Sequence, residues 1–265
     1  MNEIVSGKKT GLALSGGGAR GFAHVGVLKA LVEHDVPIDA IAGTSAGAFV
    51  GGAYASGLDA DRLVELGKQI GWFGMAGFSY SPRGMLSNAP MGGFIEQNFP
   101  ETRFEGLRLP FAAVACDLAT GEEVVLHGSG DLVMAIRASC AIPGVFLPVD
   151  DGSGRRLVDG GVTSPMPTRA VRELGADAVI AVDLLTCGSD FAASPSTLIG
   201  TFIQAAMMML QTASKNQHYM ADIVIEPQIA HIRPDEIKKM NELVELGYAA
   251  AMDKMPEIKN LTGCD

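Results

Sequence analysis

Short apolar runs alternate with helix-periodic segments along this chain, and that alternation constrains its fold more than any other feature. Residues 10–15 form an apolar run that ends in glycines. Residues 20–34 follow with Phe22, Val25, Leu28, Leu31 and Val32 at helical spacing. Residues 37–43 read as a second strand, and 46–56 as a small-residue helix able to pack tightly on a sheet. Residues 59–70 are amphipathic, with Asp59 placed to cap them. Further strands are expected over 110–118, 122–127, 156–158, 178–183 and 223–225. Helices are expected over 131–139, 168–174 and 198–220, and 234–253 closes the chain. Such a rhythm builds an α/β fold of three layers, α/β/α, around a mostly parallel central sheet. One domain over residues 1–265 is expected, without internal repeats. The rhythm breaks at residues 71–100, where Trp72, Phe73, Phe78, Tyr80, Met85, Met91 and Phe94 stand among glycines. Two readings of that insertion stay open: a packed surface excursion, or a mobile apolar cap over a groove.

Composition narrows the function. Hydrophobic residues are 48% and charged residues 19%, which excludes intrinsic disorder. The net charge of −10 argues against nucleic acid as a partner, because that affinity rests on Lys and Arg. It argues equally against long-range attraction to anionic membrane. A lipid or acyl-ester substrate and peripheral membrane contact stay compatible with it, since an apolar groove holds acyl chains without net charge. Cys116, Cys140, Cys187 and Cys264 are widely spaced and form no C-x-x-C, so reduced thiols, a cytoplasmic setting and no metal are expected. The polar N-terminus lacks the apolar core of a secretory signal. The longest apolar run, 198–210, is shorter than the roughly 20 residues of a membrane span and reads as a buried helix. Oligomeric state is not legible.

Three glycine-bearing motifs carry the chemistry. Ser15-Gly16-Gly17-Gly18-Ala19-Arg20-Gly21 joins the first strand to the first helix. Its N–H groups can converge on an anion, either a nucleotide phosphate or the oxyanion of a tetrahedral intermediate. The dinucleotide fingerprint lacks its acid at the end of a second strand, and the P-loop ending is absent. Gly43-Thr44-Ser45-Ala46-Gly47 is G-x-S-x-G between strand and helix, the context of a nucleophile elbow, which makes Ser45 the nucleophile. A serine needs a base. The histidines His24, His34, His127, His218 and His231 fit no usual serine–acid–histidine order, and His24 reads as a packed helix residue. Arg156-Leu157-Val158-Asp159-Gly160-Gly161 instead ends a strand on an aspartate. Burial against walls such as Phe146 and Val158 would raise the pKa of Asp159 into a useful range for a base.

In this order the motifs resemble the patatin-like phospholipase family, most closely its compact bacterial members. The glycine loop at Gly16, Gly17, Gly18, Arg20 and Gly21, the elbow around Ser45 and Asp159-Gly160-Gly161 all match. So does a fourth block, Ala138-Ser139-Cys140-Ala141-Ile142-Pro143, followed by Phe146 and Pro148. The resemblance covers about residues 10–227. It implies the patatin-like fold and a serine–aspartate dyad of Ser45 and Asp159, with no histidine, metal or other cofactor. It further implies hydrolysis of lipid acyl esters through an acyl-enzyme. Within it, the N–H groups of Gly16, Gly17 and Gly18 form the oxyanion hole, joined by that of Ala46. Arg20 orients the loop or an anionic head group. Two other functions stay open: an acyltransferase or thioesterase acting on a carrier-bound acyl group, and a regulatory module that has lost activity.

Overall fold

A computed structural model describes residues 8–71, 75–81, 84–187 and 198–264. The chain runs β1 (Thr10–Leu14), α1 (Phe22–Glu33), β2 (Ala40–Thr44), α2 (Ala46–Ser56) and α3 (Ala60–Gln69). Next come the hairpin β3 (Gly77–Ser81) and β4 (Gly84–Ser87), then α4 (Ala89–Asn98), β5 (Phe111–Asp117), β6 (Glu123–His127) and α5 (Leu132–Ser139). It continues with β7 (Val149–Asp150), β8 (Arg156–Asp159), α6 (Thr168–Glu173), β9 (Ala178–Val182) and α7 (Leu198–Gln217). β10 (Ile223–Ile225) and α8 (Met240–Thr262) complete it. Asp59 caps α3 as expected, its carboxylate accepting the Arg62 N–H at 2.8 Å.

The main sheet has the order β10-β9-β1-β2-β5-β8-β7, with β6 also on β5. The five strands from β10 to β5 are parallel, whereas β6 and β8 run antiparallel to β5 and β7 antiparallel to β8. Side-chain alternation divides the core between two faces. Leu12, Leu14, Ile41, Phe111 and Val182 join a large cluster with α1, α2, α3 and α8. Ala13, Ala42, Ala112 and Ala181 face the other way, under Met166, Ala170 and Val171 around α6. Alanines on that second face leave room for only a thin covering layer.

The structure departs from the sequence reading in three places. The insertion contains a hairpin and a ten-residue helix, α4, rather than loops and short helices. Trp72 and Phe73 lie outside the described residues, as do the side chains of Phe78, Tyr80 and Met85. The last helix does not stop near residue 253 but runs through Pro256 to Thr262, because buried Met255 and Ile258 continue its apolar stripe. Where its side chains are described, α7 is a surface helix rather than a buried one. Met208 and Met209 are exposed, and Ser214 is fully buried near its end. Among the described residues no helix is long and apolar enough to cross a membrane.

Candidate active site

The elbow is built by close approach. Ser45 holds φ 54° and ψ −119°, left-handed backbone in which a serine is strained. A Cβ on Gly43 would land on the Gly47 carbonyl, and one on Gly47 on the Leu14 carbonyl, so both flanking glycines are required. Thr44, the last residue of β2, donates its hydroxyl to the Ser164 carbonyl at 2.7 Å. Ser45 follows as the residue before α2, with its hydroxyl over a helix N-terminus.

Strand register brings Asp159 to it. Thr44 pairs with Val114 on β5, and Asp159 pairs with Ala115, the next position on the same strand. The fourth sequence block then fixes both partners. The Ser139 hydroxyl accepts the Ser45 N–H at 2.9 Å and donates to the Val114 carbonyl at 2.6 Å. The Ala141 carbonyl accepts the Asp159 N–H at 2.9 Å. The Cys140 thiol donates to the Ser45 carbonyl at 3.2 Å. These roles for Ser139, Cys140 and Ala141 were missed from the sequence, although the A-S-x-A-x-P pattern marked the segment.

The Asp159 carboxyl is buried. Its Oδ1 accepts the Gly161 N–H at 2.8 Å, while its Oδ2 has no hydrogen-bond partner. Burial is the main cause that raises its pKa from 3.8 to about 6. The Ser45 hydroxyl and the Gly161 N–H pull the other way. The Ser45 hydroxyl acts on the carboxyl by proximity, without completing a hydrogen bond to Oδ2.

The glycine loop lies beside the elbow; a Cβ on Gly16 would stand 3.5 Å from that of Ser45. Its members differ in what their N–H groups do. Gly16 donates to the Pro165 carbonyl at 3.0 Å, and Ala19 to the Pro234 carbonyl at 2.7 Å. The N–H groups of Gly17 and Gly18, and that of Ala46, have no partner among the described residues. Gly18 sits at φ 58°, against Pro234. Arg20 turns away from the groove. Its guanidinium is fully buried and donates to the Ile232 carbonyl at 2.7 Å and the Leu184 carbonyl at 3.2 Å. It therefore staples the loop to two other segments and does not meet a substrate head group.

No histidine lines the groove. Burial drives the His24 pKa down to about 4, so the ring is neutral and its Nε2–H donates to the Ser15 carbonyl at 2.9 Å. His218 pairs with Asp183, and His231 with Glu242. Ser45 opens onto an apolar cavity of about 150 Å³, walled by Phe22, Phe49, Leu63, Leu66, Met75 and Met91. Phe49, one turn along α2 from Ser45, packs edge-on against Phe99 at 5.5 Å and stacks near Phe94 at 6.3 Å.

Comparison with known proteins shows which family shares this sequence and fold. The family described as patatin-like phospholipase matches residues 12–172. A patatin-like phospholipase domain-containing protein of Caenorhabditis elegans is 39% identical over 193 residues, 69% of this chain and 14% of that protein. The human patatin-like phospholipase domain-containing protein 6 is 33% identical over the same length, again 69% of this chain and 14% of that protein. An NTE family protein of Mycobacterium tuberculosis strain H37Rv is 29% identical over 274 aligned residues, 93% of this chain and 46% of that protein. The chain thus spans less than half the length of these relatives. In fold it is similar to VipD of Legionella pneumophila, with a TM-score of 0.55 at 14% identity over 94% of this chain and 67% of that one. With the family's match covering more than half of the 265 residues, the chain belongs to the patatin-like phospholipase family.

Proposed function

We propose that this protein is a serine hydrolase of lipid acyl esters, in which Ser45 is the nucleophile and Asp159 the base. One observation carries the reading. A strained serine that lines an apolar groove stands next, by strand register, to a desolvated carboxyl with a free Oδ2. With a pKa of about 6, Asp159 is ionised near neutral pH yet basic enough to accept a proton in the transition state. The acyl chain enters the groove and presents its ester carbonyl to Ser45 Oγ. As Oγ attacks, its proton passes to Asp159 Oδ2. The carbonyl oxygen becomes an oxyanion, held by the free N–H groups of Gly17 and Gly18 and by that of Ala46. Collapse expels the alcohol, which takes the proton from Asp159. Water, deprotonated by the same carboxylate, then releases the fatty acid and restores Ser45.

A chromogenic acyl ester tests this directly. Ser45→Ala should abolish hydrolysis and labelling by a fluorophosphonate. Asp159→Asn should lower turnover by at least about 10²-fold, the scale of general-base catalysis. Asn replacements of His24, His127, His218 and His231 should each stay within about tenfold of the wild type, below the scale of general-base catalysis. A single histidine replacement that removes activity while Asp159→Asn is benign would overturn the dyad.

A further inference from the structure

A second carboxylate, outside the dyad, is shut off from solvent. Asp183, the residue after β9, is fully buried. Its Oδ1 accepts the N–H groups of Leu185 at 2.8 Å and Thr186 at 3.4 Å. Its Oδ2 accepts the Ser214 hydroxyl at 2.6 Å and His218 Nε2–H at 2.7 Å. Ser214 lies near the end of α7 and His218 four residues on, so a single helix face presents both donors. The group is not a second nucleophilic triad. The aspartate rather than the histidine bridges it, and Ser214 is fully buried.

What the cluster holds defines its role. Leu184, next to Asp183, gives its N–H to Ser15 Oγ at 2.9 Å and its carbonyl to Arg20. Its Cβ lies 3.1 Å from where a Cβ of Gly17 would stand. The turn pinned by Asp183 therefore backs the glycine loop. The same end of α7 reaches the segment that follows Asp159. Gln217 Oε1 accepts the Met166 N–H at 2.8 Å, and its Nε2 donates to Ser164 Oγ at 3.2 Å. Ser164 in turn accepts the Thr44 hydroxyl beside the nucleophile.

We propose that Asp183, Ser214 and His218 are positioning residues: a clamp that sets the free N–H groups of the glycine loop against the dyad, with the end of α7 as the shared strut. The clamp rests on the reading of Ser45 and the Gly17–Gly18 loop given above. A buried carboxylate stays in place only while its lone pairs are filled by donors. With one donor gone, the turn over 183–187 rearranges. An oxyanion site displaced by a fraction of an ångström holds the transition state less well than the ground state.

The test uses the full chain and a short chromogenic ester. Ser214→Ala and His218→Ala should each lower kcat by about three- to tenfold, a part of what one oxyanion donor supplies, with KM near the wild type and Tm lowered only as far as the loss of one buried hydrogen bond requires. His218→Gln, which keeps an N–H donor, should restore most of the loss. The rate of fluorophosphonate labelling at Ser45 should fall in step with kcat, because the phosphoryl oxygen occupies the same N–H site. Combined with Gly17→Val, the Ser214→Ala loss should largely vanish, since the two act on one loop. Unchanged kcat in both single variants would overturn the clamp, as would a loss that adds in full to that of Gly17→Val. Failure of the serine reading is separately visible, as hydrolysis or labelling that survives Ser45→Ala.

Discussion

Asp159 is a destabilising residue at neutral pH, and the burial that makes it so is what the proposed role of a base requires. Its pKa rises from 3.8 to about 6, so the fold binds the proton more tightly than the unfolded chain does. Below about pH 4 both states are protonated and the burial carries no electrostatic penalty. Between about pH 4 and pH 6 the unfolded carboxyl ionises while the folded one keeps its proton, so stability falls by about 3 kcal/mol, at 1.36 kcal/mol per pKa unit, and levels off once the folded carboxyl ionises as well. Asp159→Asn should therefore raise Tm at pH 7–8, and the gain should disappear below pH 4. Thermal melts across that range check it. The same ionisation governs rate in the opposite sense: activity should rise with pH through about 6, and this limb should be missing from the residual rate of Asp159→Asn. The glycine loop makes a separate prediction. A side chain at Gly17 would press on Leu184 and move an N–H that has no internal partner. Gly17→Val should cut turnover by about 10²–10³-fold, the scale of one lost oxyanion donor, and steady-state kinetics on a short ester reads it out.

Among the elements, β8 and the segment after α5 matter more than their length suggests. β8 has only four residues and runs against the direction of β5, yet its register delivers Asp159 next to the elbow. The segment after α5 ties down both Ser45 and Asp159 through Ser139 and Ala141. Ser139→Ala should leave the Ser45 N–H and the Val114 carbonyl unpaired in a buried site. A stability loss of about 1–3 kcal/mol is expected from chemical denaturation, with a parallel fall in kcat. The insertion supplies Met75 and Met91 to the groove wall. Met75 is half-buried, so Met75→Ala should enlarge the groove at modest stability loss and shift preference toward longer acyl chains. A series of esters of graded chain length measures that shift. An unchanged profile with a much lower Tm would make the insertion structural packing alone.

For the molecule as a whole, the two faces of the sheet divide the work. The alanine face is thinly covered by α6, and the other face carries both the large core and the groove. That thicker layer depends on α1 and α8 crossing backbone to backbone. A Cβ on Gly26 would strike the Val244 carbonyl, and one on Gly247 the Ala23 carbonyl. Since the obstructing atoms are main chain, neither helix can yield locally. Gly247→Val should destabilise the protein by more than about 3 kcal/mol, beyond the usual range for a point substitution, and a melt checks it. The exposed methionines of α7 belong to this scale as well, because a 13-residue apolar stretch does not say which side of it the fold covers.

The layered α/β rhythm, the strand–turn–helix setting of Ser45 and the strand ending at Asp159 were all legible in the sequence. They depend on local periodicity and on turns that only glycine can make, as at Gly43 and Gly47. The glycine loop was legible as an anion site for the same reason. The division of labour inside it was not. That Gly16 and Ala19 spend their N–H groups while Gly17 and Gly18 keep theirs free depends on carbonyls from Pro165 and Pro234, far along the chain. The inward turn of Arg20 likewise depends on carbonyls at Leu184 and Ile232. The unusual basicity of Asp159 and the donors gathered around Asp183 arise from burial and long-range strand register. Local sequence pattern carries neither, so only the tertiary structure decided which of the plausible residues meet at one place.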